Sequence, residues 1–271
     1  MKFQVLLSAM FLESESYVDT LHITSDAVVI NQCDRSCEKK CRRESCAGTE
    51  QEITYIETKD RGLSKSRNMA IAKSDADVCI LCDNDVEYVE DYEQLICDAF
   101  DSHPDADIIV FYIKRKEKPQ PNFLMEKRMG YYSVLKIFSP EIAFRRDAVL
   151  DTPFNEWFGA GAHYILGEEN IFLYDCLRRK KKIYYLPVQI AALREEESTW
   201  FTGYDEKFFV SRGANYCAMS RTGSLLLILQ FAFRKRALYQ SEMTVKKALG
   251  YMLKGRREYI GISQRKLGKV E

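Results

Sequence analysis

The sequence predicts an α/β protein, a mostly parallel central sheet flanked by helices, with a basic helical C-terminal extension. Three observations predict it. Short aliphatic runs alternate with helix-patterned segments through the first half, the signature of parallel strands joined by right-handed crossovers. Those runs are continuously apolar, as strands are when both faces of a sheet are covered. Charge is also uneven. The chain has 40 Lys/Arg and 40 Asp/Glu, yet residues 221–271 hold 12 Lys/Arg against 3 Asp/Glu, so a net −9 body carries a net +9 tail.

The elements follow in order. VLLSA (5–9) reads as the first strand, because the leading MKFQVLLSAMFLESESY has one Lys and an apolar stretch broken by Gln4, unlike a signal peptide. AVVIN (27–31), ITYIET (53–58), VCILCD (78–83) and IIVFYI (108–113) are the next strands. SKSRNMAIAKS (64–74) and DYEQLICDAFDS (91–102) are helical in pattern. KRKEKPQPNF (114–123) is a polar, Pro-containing loop, after which VLKIF (134–138) and IAFRR (142–146) read as strands. GEENIFLYDCLRRKKK (167–182) reads as a helix with Ile171, Phe172, Leu173, Cys176 and Leu177 on one side and cations at its end. IYYLPVQIAAL (183–193) is a strand in which Pro187 favours an edge or a bulge. The tail from Thr222 onward is helical and basic. The expected domains are 1–220, with halves 1–113 and 114–220, and the tail 221–271.

The 271 residues suffice for one large domain with a substantial core. No segment reaches the roughly 18–20 apolar residues that cross a bilayer. Nine cysteines without a secretion signal argue for a reduced cytosol rather than a disulfide frame. Cys33, Cys37, Cys41 and Cys46 lack the usual spacing of a metal site, so a solvated helix carrying free thiols is the favoured reading. Cys79 and Cys82 lie in a strand-like run and read as small buried hydrophobes.

The chemistry lies in CILCDNDVEY (79–88). An apolar strand ends in Asp83 and Asp85, and ligands of open parallel sheets bind beyond the carboxyl ends of strands. Two adjacent carboxylates repel unless a cation joins them. Oxygen ligands suit Mg²⁺ or Mn²⁺, which characteristically bridge carboxylate to a diphosphate. Upstream, KDRGLSKSRN places a turn at Gly62, a helix start near Ser64, and Arg67, whose fork suits phosphate or carboxylate. The plainer reading makes Ser64 an N-cap and Arg67 a surface charge.

GLSKSRNMAI followed by an apolar strand ending in DND resembles the nucleotide-sugar half of family 2 glycosyltransferases with the GT-A fold, over roughly residues 3–200. The resemblance implies transfer of a sugar from a nucleoside diphosphate, a UDP-sugar first among them, to a glycan or lipid-linked acceptor, with inversion. It implies that the NQCD turn (Asn31, Gln32, Asp34) and Asp60 lie near nucleobase and ribose. It also implies that Arg67 and Asp83 contact the nucleotide and that Asp85 is the principal ligand of Mn²⁺ or Mg²⁺. The family usually has acidic residues where Asn31 and Gln32 stand. WFGAGAHYILGEENIF (157–172) resembles the acceptor region, where glycines precede an acidic pair at a helix start. That pair is Glu168-Glu169 here, and Glu169 aligns with the catalytic base, with Glu168 second. Inversion needs such a base to take the proton of the attacking hydroxyl. Arg194 stands near where the family often has a His, and an Arg can pair with diphosphate. Trp157, His163 and Trp200 are candidates for the acceptor, though His163 and Trp200 also read as structural residues.

SLLLILQFAFRKRAL (224–238) suits a buried or an interfacial helix. The tail could lie on an anionic membrane at the cytoplasmic face, pack on the body, or join two copies. No nucleic-acid partner is expected. The alternatives are a nucleotidyltransferase, whose Gly-rich loop after the first strand is missing from LSAMFLESES (7–16), and a catalytically silent scaffold.

Overall fold

The computed structural model describes residues 1–116, 118–194 and 203–267. By contacts the chain divides into two units, Met1–Arg61, Lys65–Phe154 and Phe172–Glu197 in the first, and Gly62–Ser64, Asn155–Ile171 and Ser198–Glu271 in the second.

The first unit is a ten-stranded sheet. Its strands are β1 (Phe3–Met10), β2 (Ala27–Gln32), β3 (Cys37–Glu44), β4 (Glu50–Thr58), β5 (Val78–Asp83), β6 (Val86–Tyr88), β7 (Ile108–Lys114), β8 (Lys127–Arg128), β9 (Ile142–Arg145) and β10 (Ile183–Leu193). The order is β3-β4-β2-β1-β5-β9-β7-β10-β6, with β8 on β10. The pairs β4–β2, β2–β1, β1–β5 and β7–β10 are parallel. β9 is antiparallel to both β5 and β7, so β4, β2, β1, β5, β7 and β10 all run one way. The strands share a line because they are apolar throughout: Val5, Leu7, Val29, Ile80, Ile109 and Phe111 are all fully buried in one core.

Helix α1 (Tyr17–Thr20) follows β1, α2 (Leu63–Lys73) precedes β5 and α3 (Tyr92–Ser102) precedes β7. α4 (Arg146–Val149) follows β9. On α3, Tyr92, Ile96, Ala99 and Phe100 recur at helical spacing and are buried, which is why DYEQLICDAF folds as an amphipathic helix. α5 (Glu168–Arg178) precedes β10, where Pro187 falls in a register break between Tyr185 and Gln189.

Three local expectations are corrected. The cysteine segment is strand β3, not a helix: Cys37 opposes Glu57, Cys41 opposes Ile53 and Glu44 opposes Glu50. Its cations find acids across the strand pair, as in Lys40–Glu52 and Arg35–Glu57, a partnership that helical i,i+4 counting along one segment does not see. Second, residues 133–136 form a 3₁₀ turn, with Val134 and Ile137 buried three apart, where a strand was expected. Third, Ser64 is not an N-cap, since α2 starts at Leu63 and the Ser64 hydroxyl donates to Phe158 O at 2.7 Å. Cys79 and Cys82 are core residues as expected, and burial pushes the Cys79 thiol up to about 12. Among the described residues no three His, Cys, Asp or Glu side chains group as a metal cage.

Glu141 is buried at 1 % exposure. One carboxylate oxygen accepts from Phe138 N at 2.9 Å and the other lies 3.4 Å from the Arg115 guanidinium. Burial outweighs both and raises the acid to about 7.

The second unit is helical: α6 (Glu206–Met219), α7 (Ser224–Arg234), α8 (Arg236–Tyr239) and α9 (Val245–Leu267). Asp205 caps α6 by accepting from Phe208 N at 2.8 Å. α6 and α9 approach through glycines. A Cβ on Gly213 would stand 1.9 Å from Met252 O, and one on Gly255 would stand 1.9 Å from Val210 O. Around them Phe209, Phe231 and Tyr239 form an aromatic cluster, and Arg212 lies over the rings of Phe208, Tyr216 and Phe231.

Candidate functional site

Strand register brings the first unit's candidates to one rim. Ser8 pairs Asp83, Met10 pairs Gln32, and Gln32 pairs Thr58, so the carboxyl ends of β1, β2, β4 and β5 are level. Asp83 ends β5, Asn84 turns, and Asp85 precedes β6, an edge strand antiparallel to β10 that the sequence reading lacked. The acidic pair thus marks where the chain leaves the parallel core for the sheet's edge. Arg194 N donates to Asp85 O at 2.8 Å and fixes that turn.

Arg67 is 1 % exposed and donates through Nη2 to Asp83 Oδ1 at 2.9 Å. Its guanidinium lies over the Phe154 ring at 5.6 Å. A guanidinium this buried is a built feature, and the plainer reading of a surface charge is set aside. It offsets the charge of Asp83 from the protein side. The set fits Mg²⁺ or Mn²⁺ in one respect: such ions take one or two carboxylates and complete their shell with water and substrate phosphate.

The other predicted nucleotide residues divide. Asn31 is wholly buried and holds the loop after β1: its Oδ1 accepts from Leu12 N at 2.9 Å, and its Nδ2 donates to Leu12 O at 3.0 Å and Tyr55 OH at 2.8 Å. Gln32 is buried beside it. Asp34 is exposed and accepts from Arg61 Nη2 at 2.7 Å. Asp60 is exposed, its N–H on Thr58 Oγ1 at 3.1 Å. The Arg194 side chain reaches Glu87 at 3.4 Å.

Two residues of this rim were missed by the sequence reading. Arg61 Nη1 donates to Cys33 O, Thr58 O and Lys59 O at 3.0, 3.2 and 2.9 Å, tying the ends of β2 and β4 together. Its guanidinium also lies over the Phe11 ring at 5.4 Å. Phe11 is 59 % exposed and holds φ of +53°, a rare conformation for a bulky residue. The available signal was an aromatic directly after a strand, in AMFLE (9–13).

The second unit carries the other candidates. Gly62 and Gly161, at φ +118° and +76°, stand back to back, with a Cβ on Gly161 falling 3.5 Å from Gly62. Leu63 N donates to Ala160 O at 2.9 Å, so that helix-start amide serves a loop carbonyl and not an anion. In the loop, Phe158 stacks on Tyr164 at 4.9 Å, and Trp157 meets His163 edge to face at 5.8 Å. His163 is exposed. Glu168 is buried and its carboxyl group seats against Gly159, where a Cβ would stand 3.2 Å away. Glu169 is half-buried at the first turn of α5. Of the acidic pair, then, Glu168 has a packing duty and Glu169 the more accessible carboxylate. Trp200 lies outside the described residues.

Residues 28–159 match the family described as Glycosyl transferase family 2. No curated protein matches the sequence. Among solved structures, S. aureus TarS 1-349 in complex with UDP-GlcNAc is similar at TM-score 0.62 and 16% identity, covering 94% of this chain and 81% of that one. The mannosyltransferase PcManGT from Pyrobaculum calidifontis, in complex with GDP-Man and Mn²⁺, is similar at TM-score 0.51 and 11% identity, covering 96% and 87%. Residues 28–159 form a family 2 glycosyltransferase domain, in a chain with the GT-A fold.

Proposed function

We propose that this glycosyltransferase moves a sugar from a nucleoside diphosphate, a UDP-sugar first, to a hydroxyl of a glycan or lipid-linked acceptor, with inversion. The observation that carries the reading is the pairing of buried Arg67 with half-buried Asp83 at the end of β5, with Asp85 two residues beyond Asp83. Arg67 and Asp83 contact the nucleotide, and Asp85 with Asp83 would hold Mn²⁺ or Mg²⁺. When bound, that ion supplies charge neutralisation of the departing diphosphate. Phe11 offers its face to the base, held by Arg61, while Asp34, Asp60 and Gln32 lie along the same rim and Asn31 shapes it from beneath. Arg194 pairs with diphosphate once released from Glu87.

Glu169 takes the proton from the attacking hydroxyl, and Glu168 supports the backbone that carries it. Trp157 and His163 receive the acceptor. The support for Glu169 over Glu168 is the packing of Glu168 on Gly159. Among the described residues no helix is long and apolar enough to cross a membrane. We read the basic segment 221–271 as a peripheral membrane contact that brings the enzyme to its acceptor.

The test is calorimetric titration of the full chain with UDP, UDP-sugars, GDP-mannose and CMP, each with Mn²⁺ and with EDTA. One nucleotide class should bind, weakening on chelation and in Asp85→Ala. Glu169→Gln should keep that binding and lose about 10²–10⁴ in kcat, with Glu168→Gln affected far less. Metal-indifferent binding together with an active Glu169→Gln enzyme would sink the assignment.

A further inference from the structure

We propose that the outward face of α7 is the surface that docks on anionic lipid headgroups. This deepens the reading of 221–271 as a membrane contact and rests on it. One side of α7 is inside: Ser224, Ile228 and Ala232 recur every fourth residue and are buried. Arg256 secures the start of the helix, donating to Ser224 Oγ at 2.8 Å and to Arg221 O at 3.2 Å. The helix is therefore held in a fixed rotation.

That rotation turns large apolar side chains outward. Leu225, Leu226, Leu229 and Phe233 are 46%, 72%, 47% and 63% exposed. At helical spacing they fill an arc of about 100°. Leu238 continues the patch just past the helix, at 52% exposure. Arg221, Arg234, Lys235 and Arg236 are exposed around it, and no Asp or Glu occurs between 221 and 241. Leu and Phe flanked by cations without acids is the composition of an interfacial helix that sinks its apolar face to the acyl boundary and keeps its cations at phosphate depth.

Size selects the occupant. An eleven-residue helix is about 16 Å long and about 10 Å wide. The four outward side chains leave on the order of 400 Å² of apolar surface to water, about half of the roughly 800 Å² per partner of a stable dimer. A lipid surface sets no such minimum, because charge attraction adds to the small apolar insertion.

The test is co-sedimentation of the full chain with phosphatidylcholine vesicles, with and without phosphatidylglycerol. The chain should partition to the phosphatidylglycerol vesicles. Leu226→Gln/Phe233→Gln should lower that partition about tenfold or more. Lys235→Gln/Arg236→Gln should lower it about tenfold and weaken the preference for phosphatidylglycerol. Lys246→Gln/Lys247→Gln, exposed on α9, should leave it nearly unchanged. All these positions are exposed, and unchanged thermal melts report that the variants fold. If no vesicle binds the parent chain, the reading of the whole tail fails. If the parent binds and both α7 variants bind equally well, the α7 face is refuted while the tail reading stands. A concentration-dependent dimer in sedimentation velocity, dissolved by Leu226→Gln/Phe233→Gln, would overturn the proposal in favour of a second copy.

Discussion

The Arg67–Asp83 contact can be weighed by a double-mutant cycle. Arg67→Met keeps an apolar stem and removes the fork that lies over Phe154, and Asp83→Asn keeps the shape and removes the charge. Opposite charges about 4 Å apart attract by about 4 kcal/mol at the effective dielectric of protein sites near the surface. Asp83 retains 21% exposure while Arg67 has 1%. Arg67→Met therefore leaves a carboxylate that water can still reach, at a cost of about 2 kcal/mol. Asp83→Asn leaves a buried guanidinium with a weaker acceptor and should cost more, about 3–5 kcal/mol. The double variant should be more stable than the two losses added, with a coupling of about 2 kcal/mol. Urea denaturation of the four proteins at one pH and salt gives all these values. A coupling below about 0.5 kcal/mol, with the two single losses equal, would mean that the guanidinium is anchored by something other than this carboxylate.

Glu141 ionises near its ordinary 4.5 when unfolded but near 7 when native, so the folded chain binds more protons across that window and stability falls as pH rises through it. Between pH 5 and 8 the loss should be about 2.5 kcal/mol, and Glu141→Gln should flatten that slope in urea titrations. Asn31→Ala should lower stability by about 3 kcal/mol, because the backbone of Leu12 loses both partners, and limited proteolysis should cut near residues 11–16 first. Gly213→Ala and Gly255→Ala should each cost more than about 3 kcal/mol, as a Cβ has no room at either site. Gly250→Ala and Gly261→Ala on the same α9, where a Cβ meets nothing within 4 Å, should stabilise by about 0.5–1 kcal/mol, and calorimetric melting separates the two pairs.

Much of the sheet was legible because its strands are buried on both faces and need no partner to be seen: VLLSA, AVVIN and VCILCD are apolar whatever lies beside them. The β3 strand was not, because its reason for being extended sits in the acids of β4, across a turn. β6 was hidden by its length of three residues, VEY, and by depending on β10 more than 100 positions later. At the site, Asp83, Asp85 and Arg67 stood out because like charges at an apolar strand's end have few bland explanations. Asn31 was legible as a polar residue at the rim, but only the fold shows that its amide is spent on Leu12 and Tyr55. Arg61 escaped because its work is done on backbone carbonyls, which leave no trace in composition.

The glycines that let α6 and α9 touch have a practical corollary. Where main chain rests on main chain, neither helix can ratchet past the other by swapping rotamers, so the pair behaves as one keyed part. A chain shortened before residue 221 would strip cover from Val210 and Gly213 along with the basic segment, and lost activity in such a fragment would report a broken scaffold as much as a missing membrane anchor. Point changes on the outside of α7 are the cleaner instrument.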